Sequence, residues 1–194
     1  MRKLTGIPAI LLVFALSGCI SVAKIETGER TVGERLFVNI EGAWNHLNAP
    51  GMGPAQVWTM EGTPVDQLLL YSGIKDGQLI HADSGNAAKQ KNFAFRSAMQ
   101  PDEIVSLFEG MLTRDGSRFK LEKLEPMAFG DGKGFHFAYS LVRKVDNVQL
   151  SGVGYAMVSR GELFTVLYMA PRLVFYPRHI ARVEHIGKSM RIKQ

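Results

Sequence analysis

Between Arg118 and Met169 four stretches in a row carry strand-like hydrophobicity, and the breaks between them are short. They run from Arg118 to Phe129, Gly134 to Lys144, Asn147 to Ser159 and Leu163 to Met169. The second alternates cleanly and sets Phe135, Phe137, Tyr139 and Leu141 on one face, as a half-buried strand with a two-residue period requires. The breaks contain Gly130-Asp-Gly-Lys-Gly134, Asp146-Asn147 and Arg160-Gly161, residue types that tight hairpins use. Parallel neighbours would need a crossover of about a dozen residues or more. None of these breaks is that long, so the four segments are expected to form an antiparallel meander.

Helical patterns flank this meander. Pro101 to Leu112 opens with Pro, Asp and Glu, which suit a helix N-terminus, and then places Ile104, Val105, Leu107, Phe108, Met111 and Leu112 on one stripe. A second helix is expected from Pro177, with Ile180, Val183, Ile186 and Met190 on one side. Ahead of them, Glu34 to Glu41 alternates through Leu36, Val38 and Ile40, and Gln56 to Met60 reads as a short strand carrying Trp58. Val65 to Tyr71 fits helix or strand. Lys75-Asp-Gly77 reads as a turn, Phe93 to Ser97 as extended, and 48–54 and 84–92 as loops. The expected class is α+β: a single domain with an antiparallel β-meander sheet packed by helices. The order of these elements, with the Trp58-Thr-Met-Glu-Gly62 and Gly134-Phe-His-Phe137 segments, resembles the PsbP-like α/β/α sandwich over residues 34 to 192. That resemblance implies a binding or assembly factor without a shared catalytic site.

The N-terminus carries a different signal. Arg2 and Lys3 precede an uncharged apolar run from Ile7 to Leu16. A spanning helix needs about 20 apolar residues, twice this length. The layout is that of a secretory signal peptide. It ends in Leu16-Ser17-Gly18-Cys19, and here the chain resembles bacterial lipoprotein precursors, whose lipobox has this form. Small residues at 17 and 18 suit an extended backbone in a peptidase cleft, and a thiolate is the nucleophile that thioether formation needs. The resemblance implies cleavage before Cys19, a diacylglyceryl group on its sulfur and an acyl chain such as palmitate on the new amino group. Two or more chains anchor stably where one does not. In a Gram-negative host, Ile20 and Ser21 after the cysteine, in place of Asp, imply the periplasmic face of the outer membrane. The chain therefore divides into a signal peptide (1–18), a lipidated cysteine with a tether (19–33) and a globular domain (34–194).

Composition narrows the function. Cys19 is the single cysteine, which excludes an intramolecular disulfide and a cysteine-based zinc cluster within the chain. Processing removes Arg2 and Lys3 from the 23 basic residues, which leaves 21 against 18 acidic ones, a formal +3. That balance does not indicate nucleic acid as a partner. His46, His81, His136, His179 and His185 lack zinc-helix spacing, and His179 and His185 diverge by about 120° on a helix. No metal or cofactor is expected. Gly130 to Gly134 lacks the Lys-Ser/Thr ending of a phosphate loop and reads as a hairpin turn. Gly152 and Gly154 share a strand face, where the missing side chains either let a helix pack close or open a shallow groove, and the packing reading is preferred.

Three functions follow, in order of preference. The first is a non-enzymatic lipoprotein that binds or scaffolds another envelope component. The second is a small envelope hydrolase, for which Asp66, His81 and Ser72 can be combined on paper. The third is a carrier of a small apolar ligand. Trp44, Trp58, Tyr71, Tyr155 and Tyr176 suit either a core or a cleft. Trp44-Asn45-His46, beside the Pro/Gly loop, are the expected ligand rim. The C-terminal segment sets Arg172, Arg178, Arg182, Lys188, Arg191 and Lys193 against Glu184. Of these, Arg178, Arg182, Lys188 and Arg191 are the candidate contacts to an anionic surface.

Overall fold

A computed structural model describes residues 21–48, 53–81, 93–130 and 132–193. Eleven strands and two helices are found among them, in the order β1 (Ser21–Ile25), β2 (Gly28–Val32), β3 (Leu36–Ile40), β4 (Trp44–Asn48), β5 (Gln56–Thr59), β6 (Gln67–Ile74), α1 (Pro101–Thr113), β7 (Arg118–Phe129), β8 (Gly132–Val142), β9 (Gln149–Ser159), β10 (Glu162–Pro171), α2 (Phe175–Lys188) and β11 (Arg191–Ile192). Eight strands form one antiparallel sheet in the order β1-β4-β5-β6-β10-β9-β8-β7, and β11-β3-β2 form a second, smaller sheet. The expected α+β architecture is present, and the meander is β7 to β10.

The main sheet is buried on both faces. On one side Leu69, Tyr71, Phe135, Phe137, Tyr139 and Leu167 meet Ile104, Val105, Leu107 and Phe108 of α1. On the other, Leu68, Leu70, Tyr155, Val166 and Tyr168 meet Val183 and Ile186 of α2 and Val32, Leu36, Val38 and Ile40 of the small sheet. This explains why 65–71 was ambiguous. Adjacent apolar residues point to opposite faces of a doubly covered strand, so no two-residue alternation survives.

Gly152 and Gly154 do serve close packing, but the group that packs is a ring from β8 and not a helix. They lie opposite Tyr139 and Phe137 in the β8–β9 register, and those rings lie across the bare backbone. On the other face, Gly187 of α2 does the same for the Tyr155 ring.

Several expectations are corrected. Residues 20–33 were expected to be a tether, yet β1 and β2 occupy most of them, β2 pairs with β3, and Val32 is buried. The packed part therefore begins ahead of residue 34. Trp44 to Asn48 is a strand and not a loop margin. Phe93 to Phe95 does pair in extended form with 77–80, through the Ala94–Leu79 bridge and three backbone hydrogen bonds, without growing into a longer strand. Helix α2 starts two residues before Pro177, which the first turn tolerates because its N–H groups have no intrahelical partner. At α1, the Glu103 carboxylate accepts the Gln100 N–H at 2.7 Å, half of a capping box. Residues 1–20, and with them Leu16, Ser17, Gly18 and Cys19, lie outside the described residues, as do the whole of the 84–92 loop reading and residues 49–52 of the 48–54 one.

Candidate functional site

The expected rim does not form. Trp44 is buried in the core, edge-on to Tyr168 at 6.3 Å, and its indole N–H has no partner among the described residues. Asn45 and His46 are half-buried beside it, with the His46 ring 6.3 Å from Trp58. Burial pushes the His46 pKa down. The Asp66, His81 and Ser72 combination is not assembled either. The Ser72 hydroxyl accepts the Leu36 N–H at 3.2 Å, Asp66 is committed to its own loop, and His81 meets Arg114. Asp66 and Ser72 are separated by the length of β6.

Three of the four candidate surface cations are already paired. Arg178 donates to Glu61 at 3.0 Å, Lys188 to Glu184 at 2.8 Å, and Arg191 contacts Glu29. Arg182 instead donates to His179 Nδ1 at 3.4 Å. These contacts belong to a clasp that sequence reasoning missed. His179 is buried on α2 and its Nε2–H donates to Glu61 at 2.8 Å. Glu61 is presented by the β5–β6 loop, which Asp66 ties together by accepting the Met60 and Glu61 N–H groups and the Thr59 hydroxyl. The signal lay in Thr59-Met-Glu-Gly62 followed by Asp66, but the partner on α2 is more than 100 residues away.

Hydrogen bonds from His179 and then Arg178 hold the Glu61 carboxyl below the usual carboxylate range. A depressed carboxylate stabilises the fold above its unfolded pKa, and that contribution is lost as pH falls through its folded value. Wild-type chain is therefore expected to lose stability on acidification below about pH 4.5. The loss should be steeper than in Glu61→Gln, as measured by urea midpoints at stepped pH. Parallel curves for the two proteins would contradict the clasp.

A pocket of 330 Å³ opens where the small sheet meets one end of the main sheet. Arg35 reaches it from the β2–β3 turn, Phe129 and Gly132 from the β7–β8 turn, Met157 and Arg160 from the end of β9, and Arg191 with Lys193 from the C-terminus. Phe129 and Met157 are buried and floor it with Ile192. Arg35 contacts Glu162 and its guanidinium lies 5.3 Å over the Phe164 ring. Among the described residues no carboxylate pairs with the side chains of Arg160 or Lys193. Four cations over an apolar floor can receive an anionic group attached to an apolar body. Arg191 is the one residue of the expected anionic-surface set that lines it.

Comparison with protein-family models and with curated protein sequences returns no match. Among solved structures, the chain is similar to the cyanobacterial PsbP (CyanoP) of Synechocystis, with a TM-score of 0.55 at 12% identity over 94% of this chain and 99% of that one. The chain has a PsbP-like fold. A second similar structure is that of LpqN, involved in cell envelope biogenesis of Mycobacterium tuberculosis, with a TM-score of 0.44 at 13% identity over 90% of this chain and 92% of that one. Within the PsbP-like frame, the pocket and the Glu61–His179 clasp lie at opposite ends of the strands. Ser159 and Leu163 point to one end, while Gln67, paired with Met169, marks the other. Among the described residues no helix is long and apolar enough to cross a membrane, and no group of three or more His, Cys, Asp or Glu could hold a metal ion.

Proposed function

We propose that the protein is a lipoprotein of the bacterial envelope, held on a membrane through Cys19, that acts as a non-enzymatic binding or scaffold factor for another envelope component. In a Gram-negative host its place is the periplasmic face of the outer membrane. The observation that carries the reading is the sequence Leu16-Ser17-Gly18-Cys19, with the chain's single cysteine at the lipid-accepting position after an apolar run too short to span. The basic pocket supplies a binding surface, and it needs no catalytic group.

Intact-mass spectrometry of the chain isolated from bacterial membranes tests the anchor. The expected mass is that of residues 19–194 plus a diacylglyceryl group and an acyl chain, and Cys19→Ala is expected to retain residues 1–18. An unmodified thiol on a cleaved chain would remove the anchor. Detergent extracts are expected to yield a stoichiometric protein or lipid partner. Repeated recovery of the chain alone would count against the binding role.

A further inference from the structure

We propose that the basic pocket is a headgroup site for an anionic phospholipid of the membrane that carries the chain, an inference that rests on the lipid-anchor reading above. The first argument is position. Strand β1 begins at Ser21, two residues past Cys19, and two extended residues span at most about 7 Å. The sheet itself, and not a long leash, is held at the bilayer. The antiparallel registers then say which end faces it. Ser21 lies opposite Asn48 and stands level with Leu70 and Val166, four residues short of the end marked by Ile74 and Leu163, and β1 enters the sheet from the side of that end. The β2–β3 turn reaches the same end, because Arg35 contacts Glu162 and the Leu36 N–H bonds to Ser72. The walls of the pocket therefore lie at the end of the sheet from which the anchored segment enters.

The second argument is charge. Glu162 and Glu29 hold Arg35 and Arg191, and these two carboxylates are the acids in contact with the lining cations. Asp131 lies outside the described residues. Arg160 and Lys193 are left as two cations without a carboxylate among the described residues, one a planar fork and the other a compact point charge, which together suit a phosphate. The Phe129, Met157 and Ile192 floor suits the glycerol and first methylenes of a lipid better than a free phosphate.

The third argument is local conformation. Arg160 and Gly161 form the two-residue β9–β10 hairpin, with φ of 52° and 77°. Asn or Gly is the usual residue at the first of these positions, and a long side chain there is disfavoured. The fold tolerates an arginine where the turn would be better served by asparagine, and that arginine lines the pocket. Arg160→Asn therefore removes the guanidinium without weakening the turn, which separates ligand binding from folding.

The experiment uses the full chain isolated from bacterial membranes. It is mixed with phosphatidylcholine vesicles, with vesicles in which part of that lipid is replaced by phosphatidylglycerol, or with phosphatidylcholine vesicles plus inorganic phosphate. Arg160 is probed with phenylglyoxal and Lys193 with an acylating reagent, and modification rates are read by peptide mass spectrometry. Arg172, at the opposite end of β10, serves as the control. Phosphatidylglycerol is expected to slow modification at both pocket residues about tenfold, as for a site nine-tenths occupied, and to leave Arg172 unchanged. In Arg160→Asn, with an unchanged urea midpoint, protection of Lys193 is expected to vanish. Equal rates in the two vesicle types, equal protection by inorganic phosphate, or undiminished Lys193 protection in Arg160→Asn would each overturn the proposal. Intact mass of the same sample keeps the two readings apart. Protection with an unmodified Cys19 would uphold the pocket and sink the anchor, while a lipidated Cys19 without protection would do the reverse.

Discussion

Gly154→Ala is expected to destabilise the protein by about 3 kcal/mol, at the upper end of the usual cost of overpacking. The sign is the informative part. Glycine inside a strand normally costs about 0.5–1 kcal/mol relative to alanine, so a backbone-only view predicts stabilisation. Here an added Cβ would stand 2.2 Å from both Cε1 and Cζ of Phe137. That ring has nowhere to go. It is fully buried, with Phe108 stacked at 6.4 Å and Phe135 and Tyr139 at 6.1 and 6.0 Å. Either β8 and β9 separate or the ring leaves its site, and loss of a buried phenylalanine costs about 3–5 kcal/mol. Urea denaturation followed by circular dichroism measures the effect. The double variant with Phe137→Leu is expected to lose less than the sum of the single changes, because the smaller side chain yields the space. A cost for Gly154→Ala below about 0.5 kcal/mol would show that the ring does not depend on the bare backbone.

Asp66→Ala is expected to cost a similar amount, about 3 kcal/mol, by a different route. The carboxylate is buried and accepts the Thr59 hydroxyl at 2.5 Å, the Glu61 N–H at 2.8 Å and the Met60 N–H at 3.0 Å. Thr59 in turn accepts the Gly62 N–H at 2.8 Å. Removing one acceptor leaves three donors in a closed loop, and each buried donor left without a partner costs about 1–3 kcal/mol. Water reaches part of the loop and keeps the total below the full sum. The consequence extends beyond the loop, because Glu61 loses its fixed position under α2. In an Asp66→Ala background, Glu61→Gln is expected to add little to the destabilisation. Full additivity of the two changes would show that Asp66 does not position the clasp. Asp66→Asn, which keeps one acceptor oxygen, is expected to fall between wild type and alanine.

How far each element was legible follows from what fills it. Strand β8 was readable from Phe135, Phe137, Tyr139 and Leu141 because only one of its faces is packed with large apolar groups. Helix α1 was readable because its stripe faces one layer and its other side faces water. Strands β1 and β2 were not. Their sequences, Ser-Val-Ala-Lys-Ile and Gly-Glu-Arg-Thr-Val, are mostly polar, and Val22 remains exposed even in the sheet. They are strands because β4 and β3 offer backbone partners, a circumstance no local pattern records. Trp44 was misplaced for the same reason. Its nearness in sequence to a Pro/Gly loop suggested a rim, whereas its side chain lies on the core-facing side of β4, against Tyr168.

The candidate site divides along the same line. Amino-acid order alone carries the apolar run from Ile7 to Leu16, the cysteine after Leu-Ser-Gly, the four-strand meander and its turns, since each depends on residues within a few positions of one another. Tertiary structure alone chose which basic residues act together. Arg178 and Lys188, both on α2, are occupied by Glu61 and Glu184, while Arg35, Arg160, Arg191 and Lys193 converge from three distant parts of the chain. Charge is a property of a residue, but an unpaired charge is a property of its surroundings, and those are set by which strands lie side by side.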